Sequence, residues 1–407
     1  MAAEKETVKK EIETAVDQAR EDLIQLSHSI HDNPELGFQE HKAVEFISSF
    51  LGKYGIQTES GYCGIPTALK AERKIGTGGP VIAFLAEYDA LPGIGHGCGH
   101  NVIAACGAGA FLGLLKVMEQ NQIAGEVKLI GTPAEEGGAG KAILLERGGF
   151  EGVDFALMMH PTGGGEKYNY INRGGRASSS LEVSFTGKAA HSSVPALGIN
   201  ALNAVISVFN QIDMLRPVFE VQDNVNGVIL EGGVAANIIP ELARAEFCVR
   251  AETKKRLLEL VELIKGCIRR AESLTGAKAS IKERPVYAER YPCLPVCMAF
   301  QGNMERLGIK MCLPEPGKLF GSSDIGNVSI KIPAIHDYLS ITDDESIRAH
   351  SAQYAAAAVL PQADEICVKG AKGLAMTGLD LLLDERLRQD AKAYHQSVIP
   401  DYYKAGC

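Results

Sequence analysis

The chain has 407 residues, 46% of them hydrophobic, with 41 Lys+Arg against 50 Asp+Glu and a formal net charge of −9. That length exceeds what one hydrophobic core usually supports, so two or more domains are expected. An acidic balance without a basic run argues against nucleic acid or an anionic membrane as partner.

The opening "MAAEKETVKKEIETAVDQAREDL" is charged throughout and lacks the apolar centre of a signal peptide, so a cytoplasmic location is expected. Residues 4 to 32 carry apolar positions at helical spacing (Val8, Ile12, Val16, Leu23, Leu26, Ile30), and a turn and second helix follow. Strands and helices then alternate. "PVIAFLAEYD" reads as a buried strand, "NVIAACGAGAFLGLLKVMEQ" as a helix rich in small residues, "GEVKLIGTPAEE" as a strand, "GKAILLERGGF" as a helix and "VDFALMMHP" as a strand. Such alternation predicts an α/β fold with a sheet sandwiched by helices.

After Gly174 the order becomes strand, helix, strand, strand, helix, strand, which predicts an inserted ferredoxin-like α+β domain. The expected domains are 1–174 and 287–407 for a catalytic domain in two parts, with 175–286 between them. A helical stretch, "YAAAAVLPQADEICVKGAKGLAMTGLDLLL", closes the chain. Ten cysteines (63, 98, 106, 248, 267, 293, 297, 312, 367, 407) are scattered without a C-x-x-C pair, which fits free thiols in a reducing compartment.

In "EYDALPGIGHGCGHN" two histidines and a cysteine fall within five residues on a loop too Gly-rich for a helix or strand. Cys98 and His100 therefore form a candidate ligand pair. Asp89, Glu135, Glu136 and His160 fall at the ends of predicted strands, where ligands collect in an open α/β sheet. His350, in "RAHSAQY", would join them from the returning segment. Imidazole, thiolate and carboxylate together suit zinc and its neighbours better than magnesium or calcium. The set suffices for two divalent ions if a thiolate or carboxylate bridges, and two such ions would lower the pKa of a shared water and polarise a carbonyl. If Glu136 ligates, Glu135 is left to take the water's proton and pass it to a departing amine.

The strings "AEYDALPGIGHGCGHN", "GTPAEEGGAGK", "MMHP", "FTGKAAHSSVP", "NIIP", "GSSDIGNVS" and "IPAIH" occur in the order found in the aminoacylase/carboxypeptidase-type dinuclear metallopeptidases. The chain resembles their amidohydrolase branch, nearest the β-alanyl-lysine type of dipeptidase and then aminobenzoyl-glutamate hydrolase. The resemblance implies a zinc-peptidase-like catalytic domain with a lid that also dimerises. It implies two divalent metals, zinc first with manganese or cobalt as alternatives, held by Cys98, His100, Glu136, His160 and His350, with Cys98 bridging. Glu135 becomes the acid/base, and Asp89 orients a ligating imidazole. Many relatives place a ligating His two residues before this Asp, where the present chain has Glu87. From the lid, His191, Asn237 and Arg250 would hold the scissile carbonyl oxygen and the substrate carboxylate. Ser322 and His336 would border the substrate.

The expected activity is hydrolysis of the amide bond in a small dipeptide or N-acyl amino acid, by a homodimer. Two other readings compete. Cys98 could be a covalent nucleophile with His100 or His96 as base, though neighbours on one loop make poor geometry and leave the acids idle. A non-catalytic metal-binding protein would have no use for Glu135.

Overall fold

The computed structural model describes residues 2–318 and 320–404. They form two compact units. The first comprises the chain up to Gly174, Arg290–Phe320, and everything from Asp324 on; the second comprises Gly175–Glu289 with Gly321–Ser323. The inserted unit thus runs to Glu289 rather than 286 and takes in three residues from the returning segment.

The single apolar stripe at the start is two helices, α1 (Ala2–Gln18) and α2 (Arg20–His31), separated at Ala19 with φ −97° and ψ 3°. Ile12, Val16, Leu23, Leu26 and Ile30 all remain buried. A one-residue break leaves the stripe on the same side, so periodicity alone does not reveal it. After α3 (His41–Lys53) come β1 (Glu59–Ser60), β2 (Leu69–Ile75), β3 (Val81–Ala86), α4 (His100–Asn121), β4 (Gly125–Gly131), α5 (Gly140–Glu146) and β5 (Phe155–Thr162). The second unit holds β6 (Ala177–Thr186), α6 (Ala201–Leu215), β7 (Asn224–Glu231), β8 (Leu242–Ala251), α7 (Lys254–Thr275) and β9 (Lys278–Glu283). The chain then returns as α8 (Leu294–Arg306), α9 (Ile325–Ser329), β10 (Ala334–Ser340), α10 (Ala352–Ala357), α11 (Pro361–Leu383), α12 (Glu385–Val398) and α13 (Asp401–Lys404).

The closing helical stretch is also interrupted. Leu360 is extended and Pro361 takes the first helical position of α11, where a missing N–H costs nothing. Neither β2 nor β10 announces itself in the sequence. In β10 a His, an Asp and a Ser interrupt the apolar run, yet all seven residues are buried.

The first unit's sheet has the order β1-β2-β4-β3-β5-β10. β4, β3, β5 and β10 are parallel, and β2 joins β4 antiparallel. Their carboxyl ends therefore lie along one edge. The apolar run of β3 is covered on both faces, as a central parallel strand requires. α4 is buried along most of its length and packs against α1, α2, α11 and β3. At Gly107 a side chain would meet the carbonyl oxygen of Leu85 at 2.7 Å, so glycine sets how closely helix and strand approach. Among the described residues α4 alone is long and apolar enough to cross a membrane, and it is a core helix instead.

The second unit's sheet is antiparallel with the order β7-β8-β6-β9, the ferredoxin-like arrangement. α6 and α7 begin at Asn200 and Thr253, whose side chains accept the amides of Asn203 and Arg256. β7 is an edge strand with Val228, Ile229 and Leu230 exposed.

Candidate metal centre

Cys98 and His100 converge because Gly99 separates them in the left-handed region, φ 73°. A side chain there would also strike Pro161 Cγ at 2.6 Å, so both backbone and space demand glycine. His100 is the first residue of α4. Its Nδ1 lies 3.1 Å from Asp89 Oδ1, three residues past β3. The other oxygen of Asp89 accepts the Glu136 amide at 2.8 Å, so one carboxylate fixes both a histidine and the loop after β4.

His160 sits near the end of β5, with Nδ1 at 2.7 Å from the Pro161 carbonyl and Nε2 at 3.6 Å from Cys98 Sγ. A carbonyl can only accept, so the proton is on Nδ1 and the Nε2 lone pair faces the thiol. His100 repeats the pattern: Nδ1 is engaged by Asp89, and Nε2 is buried without a hydrogen bond. His350, at φ 66°, brings Nε2 to 3.3 Å from Glu136 Oε1. Ligand atoms of Cys98, His100 and His160 lie within 4.8 Å of one another, as do those of Cys98, Glu136 and His350, and those of His100, Glu135 and Glu136. Cys98 belongs to two of these groups, as a shared ligand must.

The donor set fits a pair of divalent cations: one thiol, imidazoles with inward lone pairs, and carboxylates. Electrostatics agree. Burial would lower the pKa of His100, but Asp89 and Cys98 outweigh it and raise it well above the usual value. His350 is pushed up to about 10 by its bonds to Cys98 and Glu136. Both shifts mark surroundings that favour positive charge, as the neighbours of a bound cation must. Burial, with Glu136 and Glu87 beside it, raises the Glu135 carboxyl well above the ordinary range.

Glu87 and Asp324 take part in a feature not foreseen from the sequence. Both are fully buried around the ammonium of Lys141, which pairs with Glu87 and lies 2.7 Å from Asp324 Oδ1. Lys141 opens α5 and its own amide also donates to Asp324, at 2.8 Å. The position that holds a ligating His in many relatives is here part of a buried charge cluster. Nothing in "GAGKAILLE" marks a lysine for burial, because its partners come from just past β3 and just ahead of α9.

Among the expected substrate residues, His336 lies in β10, with its ring centroid 5.2 Å from that of His160. His191, Asn237, Arg250 and Ser322 belong to the second unit. There the Ser192 amide donates to the Asn237 carbonyl at 3.0 Å, His191 Nδ1 is 2.7 Å from Ser193 Oγ, and Arg250 donates to Ser322 Oγ at 3.1 Å. Four other histidines have structural partners away from the cluster: His96 the Ile30 carbonyl, His28 Asp364, His31 the Ala355 carbonyl and His395 the Ser329 carbonyl. Nine cysteines are free thiols, and Cys407 lies outside the described residues.

Comparison with known proteins decides the family. The chain is 36% identical to the Xaa-Arg dipeptidase of Mus musculus across 96% of this chain and 93% of that protein, and 35% identical to that of Homo sapiens over the same shares. Residues 173–273 match the peptidase dimerisation domain of the M20 peptidases. The chain belongs to the M20 metallopeptidase family. It is accordingly a metal-dependent hydrolase of amide bonds. A p-aminobenzoyl-glutamate hydrolase polypeptide of Escherichia coli is 32% identical over 59% of this chain and 53% of its own length. Two solved structures share the M20 fold: an aminobenzoyl-glutamate utilization protein from Klebsiella pneumoniae (TM-score 0.69, 20% identity, 89% of this chain and 96% of that one) and a dinuclear metal-binding M20 peptidase from Bacillus subtilis (TM-score 0.61, 23% identity, 89% and 99%).

Proposed function

We propose that this M20 enzyme hydrolyses a small dipeptide or N-acyl amino acid, with Cys98, His100, Glu136, His160 and His350 holding two divalent ions, zinc foremost and manganese or cobalt as alternatives. The observation that carries the reading is the pair of imidazoles whose outer nitrogens are already engaged, so that both Nε2 atoms face a shared cysteine. Bound ions there supply Lewis acidity, lowering the pKa of water and polarising a carbonyl oxygen.

The chain's own residues do the rest. Asp89 holds the His100 ring and the Glu136 backbone in place. Glu135 takes the proton of the attacking water and returns it to the departing nitrogen. In the second unit, His191 and Asn237 serve the scissile carbonyl oxygen, and Arg250, bonded to Ser322, serves the substrate carboxylate. The names of the relatives support a dipeptide with a basic second residue; an aminobenzoyl-glutamate-type acyl amino acid is the alternative.

The exposed apolar edge of β7 supports a homodimer through the second unit, and the free thiols of nine cysteines support a reducing, cytoplasmic location. The test is elemental analysis and sedimentation of the purified protein, followed by a screen of dipeptides and N-acyl amino acids for released amine with and without chelator. Two metals per chain, a dimer and chelator-sensitive release are expected. Release that survives complete metal removal would refute the proposal.

A further inference from the structure

Beside the ligand cluster lies a second group of buried polar side chains whose hydrogen-bond account does not close. Tyr338 stands opposite His160 across the β5–β10 pairing, and His336 lies two residues earlier on the same face. Their rings form a contiguous set, His160 to Tyr338 at 5.2 Å and His336 to Tyr338 at 5.0 Å. Two arginines gather on it. The Arg173 guanidinium stacks 3.9 Å from the Tyr338 centroid and 4.3 Å from that of Phe320. Arg290, only 6% exposed, donates to His336 Nδ1 and, at 2.9 Å, to the Tyr338 hydroxyl.

An arginine can only donate, so His336 accepts at Nδ1 and carries its proton on Nε2. That Nε2 has no partner, in a side chain 1% exposed. Nε of Arg290 and Nε of Arg173 are likewise buried without partners. Among the described residues neither arginine has a carboxylate at ion-pair distance: Asp337 is the carboxylate whose charge Arg290 feels, and its bonds go to the Asn172 amide and Cys297 instead. Burial presses the Arg173 guanidinium below its usual pKa, and the neighbouring Arg290 adds to this. Buried donors are ordinarily satisfied, and two like charges on one tyrosine require a counter-anion.

We propose that Arg173, Arg290 and His336 form a carboxylate-binding pocket of the catalytic unit, which takes a free carboxylate of the substrate beside His160. Guanidinium groups match carboxylate with paired, charge-assisted hydrogen bonds; stacking of Arg173 on Tyr338 and Phe320 leaves its Nε unengaged, and Arg290 keeps its own Nε unengaged beside the bonds to His336 and Tyr338. The pocket excludes a lysine or arginine side chain. It rests on the amide-hydrolase reading only in making the anion part of the substrate. The carboxylate is either the α-carboxylate of the released amino acid, which then replaces Arg250 in that role, or one on its side chain, which then favours the acyl-glutamate alternative over a basic second residue.

The test uses metal-loaded Glu135→Gln protein, so that ligands survive, and calorimetric titration with N-acetyl-L-glutamate, N-acetyl-L-glutamine and N-acetyl-L-isoglutamine. At least one amide should bind roughly tenfold or more weakly than the parent, the size of a lost charged hydrogen bond. That difference should vanish in Arg290→Gln and in Arg173→Gln, with metal content unchanged. The amide that suffers identifies the carboxylate. Arg173 is only partly buried, so its variant keeps the test open if Arg290→Gln does not fold. Equal binding of all three ligands, no binding of the parent at millimolar concentration, or a penalty that persists in both arginine variants overturns the proposal. Amine release by the Glu135 enzyme reports separately on the hydrolase itself.

Discussion

The ligand cluster and the arginine pocket share the His160 ring and differ in which half of the hydrogen bond is left over. Around Cys98 the unused atoms are lone pairs, on imidazole Nε2 and on carboxylate oxygens. Around Tyr338 they are N–H groups on two arginines and a neutral imidazole. Lone pairs without protons call for a cation, and protons without lone pairs call for an anion. Neighbouring pockets of opposite demand suit a reaction in which a metal polarises one end of a substrate while its carboxylate is anchored nearby.

The largest expected effect tests the cation side. Glu135→Gln should keep its metals by elemental analysis yet lose about 10²- to 10⁴-fold in kcat, the range assigned to a general acid–base group. A fully active variant breaks the division of labour between Glu135 and Glu136. Next is Lys141→Met, which leaves Asp324 buried without its counter-charge and Glu87 with only the His100 ring, 3.5 Å away. Denaturant unfolding should show a loss of about 3–5 kcal/mol, as for other broken buried pairs; an unchanged midpoint would mean that the acids find another partner.

The smallest effect lies on the anion side, at Asp337. Burial pushes its carboxyl up to about 7, although the Asn172 amide donates to it at 3.0 Å. A group that binds its proton more tightly when folded favours folding most below its ordinary pKa, 3.8, and that contribution is lost as pH rises through about 7. Asp337→Asn should therefore flatten the stability profile between those values, by at most about 4 kcal/mol. Identical wild-type and variant slopes would remove the burial argument.

Legibility divides along the same line. Cys98 and His100 can be read from spacing, because a Gly-rich loop is a local feature. Glu135, Glu136 and His160 can be read from strand ends, because a parallel sheet places those ends on one edge. Asp89 is legible as a polar residue after a buried strand, and its bond to His100 gives it a second role. Lys141, Arg173 and Arg290 give no such signal. An isolated lysine or arginine reads as a solvated surface residue unless its surroundings are known.

By itself the sequence determined the alternation of strands and helices, the ferredoxin-like insertion and the residue types of the metal cluster, since each depends on periodicity or on a few adjacent positions. Only the tertiary structure decided that α1 and α2 are separate, that β10 completes the sheet despite its polar residues, and that Lys141 and Arg290 are buried, and Arg173 half-buried, around the site. Burial and partnership are set by segments far apart in the chain, so no local window contains them.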